Sequence, residues 1–283
     1  MSEGSLSVTA LLPASNAAAF IDETLQSLAA QTYPNFRVLI SVDASADDTA
    51  DRCERFAGGD ARFVVLRQAE RLGWIRNSCE LLRRAESDLC FFIGHDDVAE
   101  PEYVAALVAA LAARPAAVLA YSDIELARPD GRRAARVYAD LDGVTERLER
   151  GKIVLARTGD WWIPYRGLFR TRVVRRGRPL RRNLAGEFAA DWPFMLQVAL
   201  EGECVRVPRL LYRKRWQVTS LSLSWSFGAR ERLAVGLCCG MRLLQADLTL
   251  RERASLLATL ARRLADDLVH RIRRLASRGL QRA

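Results

Sequence analysis

Between Ser7 and Tyr121, five short β-rich apolar runs alternate with four segments of helical periodicity, and this alternation constrains the fold most. The strands are expected at Ser7–Leu12, Phe36–Val42, Arg62–Leu66, Leu89–Ile93 and Ala117–Tyr121. The helices are expected at Ala17–Ala30, from an Asp47-Asp48-Thr49 cap through Phe56, at Gly73–Ala85 and at Pro101–Ala113. Strands separated by helices require right-handed crossovers. The expected class is therefore α/β, with a mainly parallel central sheet covered by helices on both faces.

In such sheets ligands lie beyond the carboxyl ends of the strands. Three tips converge there: Pro13–Asn16, Asp43–Asp48 and Gly94–Asp97, all polar and two of them acidic. The run Phe91-Phe92-Ile93-Gly94-His95-Asp96-Asp97-Val98 carries an apolar strand straight into paired carboxylates. Acids placed so suit a hard cation that shares its oxygen ligands with substrate phosphates. The plainer alternative is a solvated turn whose acids favour the N-terminus of the next helix. Convergence of three tips favours the first reading. No G-x-G-x-x-G follows the first strand and no G-x-x-x-x-G-K-[ST] occurs, which argues against a dinucleotide fold and a P-loop.

The second half is looser. Pro129-Asp130-Gly131 marks a turn, Trp161, Trp162 and Tyr165 form an aromatic cluster, and a helix is expected over Phe188–Glu201. Strand-like runs follow at Cys204–Val207 and Leu210–Tyr212, then two basic helices at about Phe227–Ala246 and Leu250–Arg278. Six cysteines without a C-x-x-C pair, and two histidines, argue against a zinc site. No apolar run reaches a membrane span, and Met1-Ser2-Glu3-Gly4 lacks the start of a secretory signal, so a cytoplasmic location is expected. The net charge of +9 is almost all arginine, because lysine occurs only at 152 and 214. Guanidinium groups suit phosphates, anionic lipid and nucleic acid alike.

Four fragments in order, Leu-Leu-Pro-Ala-Ser-Asn (11–16), Val-Asp-Ala-Ser-Ala-Asp-Asp-Thr (42–49), Gly-Trp-Ile-Arg-Asn (73–77) and His-Asp-Asp (95–97), resemble family 2 glycosyltransferases of the GT-A fold. The resemblance covers about residues 6 to 221. It implies a nucleotide-sugar-binding half at 1–125, an acceptor-binding half at 126–222, and a helical basic extension at 223–283.

By that resemblance, Asp96 matches the last acid of the family's D-x-D motif and is the expected ligand of Mn²⁺ or Mg²⁺. The first acid is replaced by Gly94. Asp97 either orients the sugar or caps the next helix. Asp43 matches the acid that accepts from a nucleobase imide, Pro13 begins the loop against the base, and Arg76 lies near the nucleotide. Asp191, in Ala190-Asp191-Trp192, matches the second acid of the family's Glu-Asp motif and is the expected general base, with Glu187 as its rival. Trp161, Trp162 and Trp192 offer a platform for an acceptor sugar, or are core. Tyr212-Arg213-Lys214-Arg215, closing with Ser220, resembles a segment that folds over the donor phosphates, with Arg215 as the contact. Tyr212 stands at the glutamine position of Q-x-x-R-W, so transfer of a single sugar is expected, from a nucleoside-diphosphate donor (UDP first) to a glycan or lipid-linked acceptor in surface-polysaccharide assembly. The basic helices would lie on the inner face of an anionic membrane, pack on the catalytic domain, or pair in a homodimer. Two rivals remain: a catalytically silent GT-A-like binding module, and an Arg-rich nucleic-acid binder. The second is disfavoured because the strand tips are acidic.

Overall fold

The computed structural model describes residues 5–156, 160–176, 180–217 and 228–280, with side chains described as far as 269. Ser220, the 222/223 boundary and the expected helix start at Phe227 lie outside the described residues.

The expected alternation is present as β1 (Val8–Ala14), α1 (Ile21–Ala29), β2 (Phe36–Val42), α2 (Thr49–Gly59), β3 (Phe63–Arg67), α3 (Gly73–Arg84) and β4 (Leu89–Phe92). A two-residue strand, β5 (Val98–Ala99), then precedes α4 (Tyr103–Ala113), β6 (Ala117–Ala127) and β7 (Arg133–Arg136). The remainder is α5 (Arg147–Ala156), two 3₁₀ turns (Asp160–Trp162 and Pro164–Arg166), β8 (Leu168–Arg170), α6 (Thr171–Arg175), α7 (Asp191–Glu201), β9 (Glu203–Arg215), α8 (Ala229–Gln245) and α9 (Leu250–Leu280).

The strands form one sheet in the order β3-β2-β1-β4-β8-β6-β9-β5, with β7 on β6 as a hairpin around the 129–131 turn. β3, β2, β1 and β4 are parallel, as alternation with helices demands. β8 enters between β4 and β6, antiparallel to both, so the fourth and fifth expected strands are not neighbours. β9 runs parallel to β6 and is a single strand where two runs were expected. It crosses Pro208 through register shifts opposite Ser122 and Asp123, a bulge being where a strand tolerates proline.

Phe91 and Phe92 show how the sheet fills both layers. Successive strand residues face opposite sides. Phe91 meets Phe36 and Tyr103 on one side, while Phe92 stacks on Tyr165 at 5.4 Å and meets Phe194 on the other. The C-terminal helices pack on the rest of the fold. α8 lies against α7, and α9 lies against α5 and α8, with Arg147–Glu252 at 2.9 Å and Arg232–Asp267 at 3.2 Å as ion pairs. Among the described residues, no helix is long and apolar enough to cross a membrane.

Candidate active site

The tips of β1 and β2 are stitched together. Asp43 N donates to Ala14 O at 2.8 Å and Ala46 N to Asn16 Oδ1 at 2.9 Å, with Asn16 at φ 46°. Pro13 is half-buried opposite Ser41. The Asp43 carboxylate is buried and accepts from Leu72 N (2.6 Å), Gly73 N (2.9 Å) and Ala44 N (3.1 Å). Glu187 Oε1 accepts from Ile75 N at 3.1 Å. Both acids therefore serve the amides that α3 leaves unpaired at its start. Arg76 is exposed on the first turn of α3.

A second cluster forms at the tip of β4, where Gly94 O accepts from Asp97 N. Asp97 is fully buried. Its Oδ2 accepts from Tyr212 OH (2.7 Å) and Arg166 Nε (3.1 Å), and its Oδ1 from Arg215 N (3.2 Å). Burial pushes this carboxyl up, but Lys214, Arg166 and the Tyr212 hydroxyl outweigh burial and hold it below the usual carboxylate range. Asp96 goes the other way. Burial, and then the charge of Asp97, raise it. Among the described residues no protein donor is recorded on Asp96. Lys214 faces the same acids, and burial followed by Arg166 lowers its pKa.

Gly94 explains itself at this tip. A Cβ there would stand 2.8 Å from Asp97 Oδ2 and 3.1 Å from Asp96 Oδ1. Restoring the first acid of the D-x-D motif with Gly94→Asp would thus press a third carboxylate onto two others. The expected outcome is a lower melting midpoint and no gain in Mn²⁺ affinity, measured by thermal unfolding with and without Mn²⁺.

Arg166 joins this tip to the other side of the cleft. Its backbone carbonyl accepts from Tyr103 OH, its Nη1 donates to Trp162 O at 2.9 Å, and its guanidinium lies 5.4 Å from the Trp162 ring. Burial alone would lower its pKa, but Asp97 and Tyr212 raise it above the ordinary arginine value. Its charge reaches Asp96, Asp97 and Asp191, so the three carboxylates border one electrostatic neighbourhood.

Asp191 is the first residue of α7, delivered by a turn in which Ala189 holds φ 45°. A left-handed alanine costs about 1–2 kcal/mol, so packing on both sides must hold this turn in place. Burial raises the Asp191 pKa, against a hydrogen bond from Trp161 and the charge of Arg166. Its Oδ1 is buried without a hydrogen-bond partner, as is the neighbouring Tyr165 hydroxyl, whose own pKa is raised by burial and then by Asp191. Trp161 stacks on Trp192 at 5.1 Å, and Trp192 Nε1 donates to Val154 O at 2.8 Å.

Of the residues expected from sequence, Asp97 and Trp162 contact Arg166, whose charge also reaches Asp96 and Asp191. Trp161 and Trp192 stack on each other next to Asp191, with Trp192 buried in the core. Asp43 and Glu187 gather instead at the start of α3. Arg215 places only its backbone at Asp97, while its guanidinium pairs with Glu23 and covers the Phe20 ring at 5.1 Å. Arg166, Tyr165, Tyr212 and Lys214 were not singled out from sequence as site residues. Tyr165 lies in the aromatic cluster, and Tyr212 and Lys214 lie in the segment expected over the donor phosphates, so only Arg166 had no sequence signal at all.

For a divalent cation, the fitting group is the Asp96 carboxylate, half-buried and open to a ligand. No cluster of three or more acidic, histidine or cysteine ligands exists among the described residues, so a cation at Asp96 would need oxygens of a bound ligand and water to complete its shell.

Residues 9–171 match the family model of Glycosyl transferase family 2. A putative glycosyltransferase, EpsH of Bacillus subtilis (strain 168), is 36% identical over 97 residues, which is 34% of this chain and 28% of EpsH. The match thus spans under a third of that relative's length. In three dimensions the chain is similar to S. aureus TarS 1-349 in complex with UDP-GlcNAc, with a TM-score of 0.72 and 19% identity over 91% of this chain and 72% of that one. It is also similar to the mannosyltransferase PcManGT from Pyrobaculum calidifontis in complex with GDP-Man and Mn²⁺, with a TM-score of 0.56 and 14% identity over 99% and 81% of the two chains. At these identities the two structures show a shared fold, the GT-A arrangement.

Proposed function

The chain belongs to glycosyl transferase family 2, and on that premise we propose that it transfers one sugar, with inversion, from a nucleoside-diphosphate donor to a hydroxyl of a glycan or lipid-linked acceptor. UDP is the donor nucleotide favoured, since the structural relative with the higher TM-score of the two is the one in complex with UDP-GlcNAc. Residues 1–125 hold the donor, 126–222 hold the acceptor, and 223–283 form an added helical extension.

The observation that carries this reading is the buried, unpartnered Oδ1 of Asp191, beside the unpartnered Tyr165 hydroxyl and within the field of the same Arg166 that faces Asp96. A buried acceptor atom without a donor loses hydration for nothing unless a ligand supplies one. An acceptor hydroxyl does so. Its proton passes to Asp191 as its oxygen bonds to the anomeric carbon, and the bond from that carbon to the donor phosphate breaks. The electron pair leaves on the diphosphate, within reach of the cationic pair Arg166 and Lys214. Burial keeps Asp191 basic enough to take the proton, since a raised pKa strengthens the conjugate base. Trp161, next to the carboxylate and backed by the buried Trp192, offers the acceptor ring an apolar wall together with Trp162. Asp97 positions Arg166 and the end of β9 through three accepted hydrogen bonds, and Asp43, Pro13, Arg76 and Arg215 border the nucleotide. Asp96 would hold Mn²⁺ or Mg²⁺ together with donor oxygens, and the cation supplies positive charge for the departing diphosphate.

A thermal-shift series tests the donor side. UDP is expected to raise the melting midpoint more than GDP, and Mn²⁺ to add to the UDP shift in the wild type but not in Asp96→Asn. A UDP shift that ignores Mn²⁺ in both proteins removes the cation from this reading. No shift with any nucleotide removes the donor site.

A further inference from the structure

One surface away from the donor site combines apolar and cationic character in a way the transfer reaction does not use. α8 buries Val235, Cys239 and Leu243 in the core. On its other side Leu233, Leu237, Met241 and Leu244 follow one another at helical spacing and are 46% to 61% exposed. Residues four, four and three apart share one face of a helix, so the four side chains form a continuous stripe. Arg230 is exposed one turn before Leu233.

Met241 also borders a crevice between α7 and α8 that is walled by Arg181, Arg242 and Cys238. It adjoins a cavity of about 520 Å³ lined by Arg176, Arg181, Gln197, Glu201 and Arg242 among others. Arg242 is 9% exposed and donates to Gln197 Oε1 at 2.7 Å. Burial and then the charge of Arg181 lower its pKa, so these guanidiniums repel one another. The acid on the wall, Glu201, stands 3.9 Å from Arg176. Three guanidiniums against one carboxylate in a concave site favour an anion, and the guanidinium fork matches phosphate oxygens.

We propose that this face docks the protein on an anionic phospholipid surface, with a lipid phosphate in the Arg176–Arg181–Arg242 cleft and the α8 stripe in the interfacial layer. Charge decides the occupant. A two-fold pairing of two copies through the stripe would set the same arginines against themselves, whereas anionic lipid answers both the cations and the leucines at once. The adjoining crevice, which shares Arg181 and Arg242 with this cleft, reaches Ala190 and Pro193 on either side of Asp191. A docked surface would therefore lie against the helix that carries this carboxylate.

The test uses the full chain and co-sedimentation with vesicles of phosphatidylcholine alone or mixed with phosphatidylglycerol. Binding is expected only with phosphatidylglycerol and is expected to fall with salt. Arg181→Ala should weaken it about fivefold, at roughly 1 kcal/mol for each cation near such a surface. Leu237→Glu should weaken it by more than tenfold, since it removes an exposed leucine that the lipid would cover and adds a repelled charge. Both sites are on the surface, and an unchanged UDP-induced thermal shift in each variant shows that the donor site is intact. Equal binding to both vesicle types, no binding to either, or indifference to Leu237→Glu overturns the proposal. A dimer in solution that Leu237→Glu dissociates, without vesicle binding, gives the face to a second copy instead.

Discussion

Asp191→Asn is expected to lower kcat by about 10²–10⁴-fold while leaving the UDP-induced thermal shift in place, because the amide keeps the shape and removes the proton acceptor. Steady-state kinetics with the wild type give the matching pH profile. Burial raises the Asp191 pKa, so the acidic limb of kcat should lie above the ordinary carboxylate range. The same shift acts on stability with a definite sign. The folded state prefers the protonated form, so the penalty is absent below the unfolded carboxyl pKa. It grows as pH rises and is complete above the folded pKa. Asp191→Asn should therefore unfold at a higher temperature than wild type at neutral pH and at about the same temperature in acid. A variant that is inactive yet no more stable at neutral pH would mean the carboxylate is not strained by burial. A fully active variant would remove Asp191 from the chemistry.

Arg166→Ala is expected to cost about 3–5 kcal/mol of folding stability, the scale for stranding one partner of a buried ion pair. The arginine side chain is 16% exposed and the Asp97 side chain 0%, so water cannot replace the lost guanidinium. Urea unfolding reads the loss as a lower midpoint at unchanged slope. Asp97 is held below the usual carboxylate range, so its contribution is full above the unfolded pKa and is lost as pH falls through the folded one. The gap between wild type and Arg166→Ala should accordingly narrow in acid. Arg166→Lys keeps a charge but not the fork that meets Asp97 and Trp162 O together, and should fall between the two. A gap that does not change with pH would show that lost packing on Trp162, rather than the ion pair, accounts for the cost.

The parallel half of the fold was legible because each apolar run there is four or more residues long and bounded by turn residues. β8 was not, since Leu168-Phe169-Arg170 offers three residues and no period to read. β9 was read as two pieces because Pro208 ends most strands, and only its pairing with the irregular stretch of β6 shows how the proline is accommodated. In the site, Asp96 and Asp97 stood out as acids at a strand tip, and Asp191 only through the family resemblance. Arg166 did not, because in a chain so rich in arginine nothing local marks the one that will meet Asp97. Much of the positive charge is used inside the fold, which the sequence does not show. Arg52, Arg62, Arg67, Arg133, Arg206 and Arg213 are each held by nearby carboxylates.

The donors to Asp97 come from two distant stretches of chain: the 3₁₀ turn ending at Arg166, and the last residues of β9. The end of β9 is held there by its ladders to β6 and β5, whereas the 3₁₀ turn is only three residues long. The buried Asp97 carboxylate is the shared anion that ties the two stretches together. Order in this region is thus expected to form or melt as one unit, so an amide at Tyr212 and one at Arg166 should exchange with solvent through the same opening event.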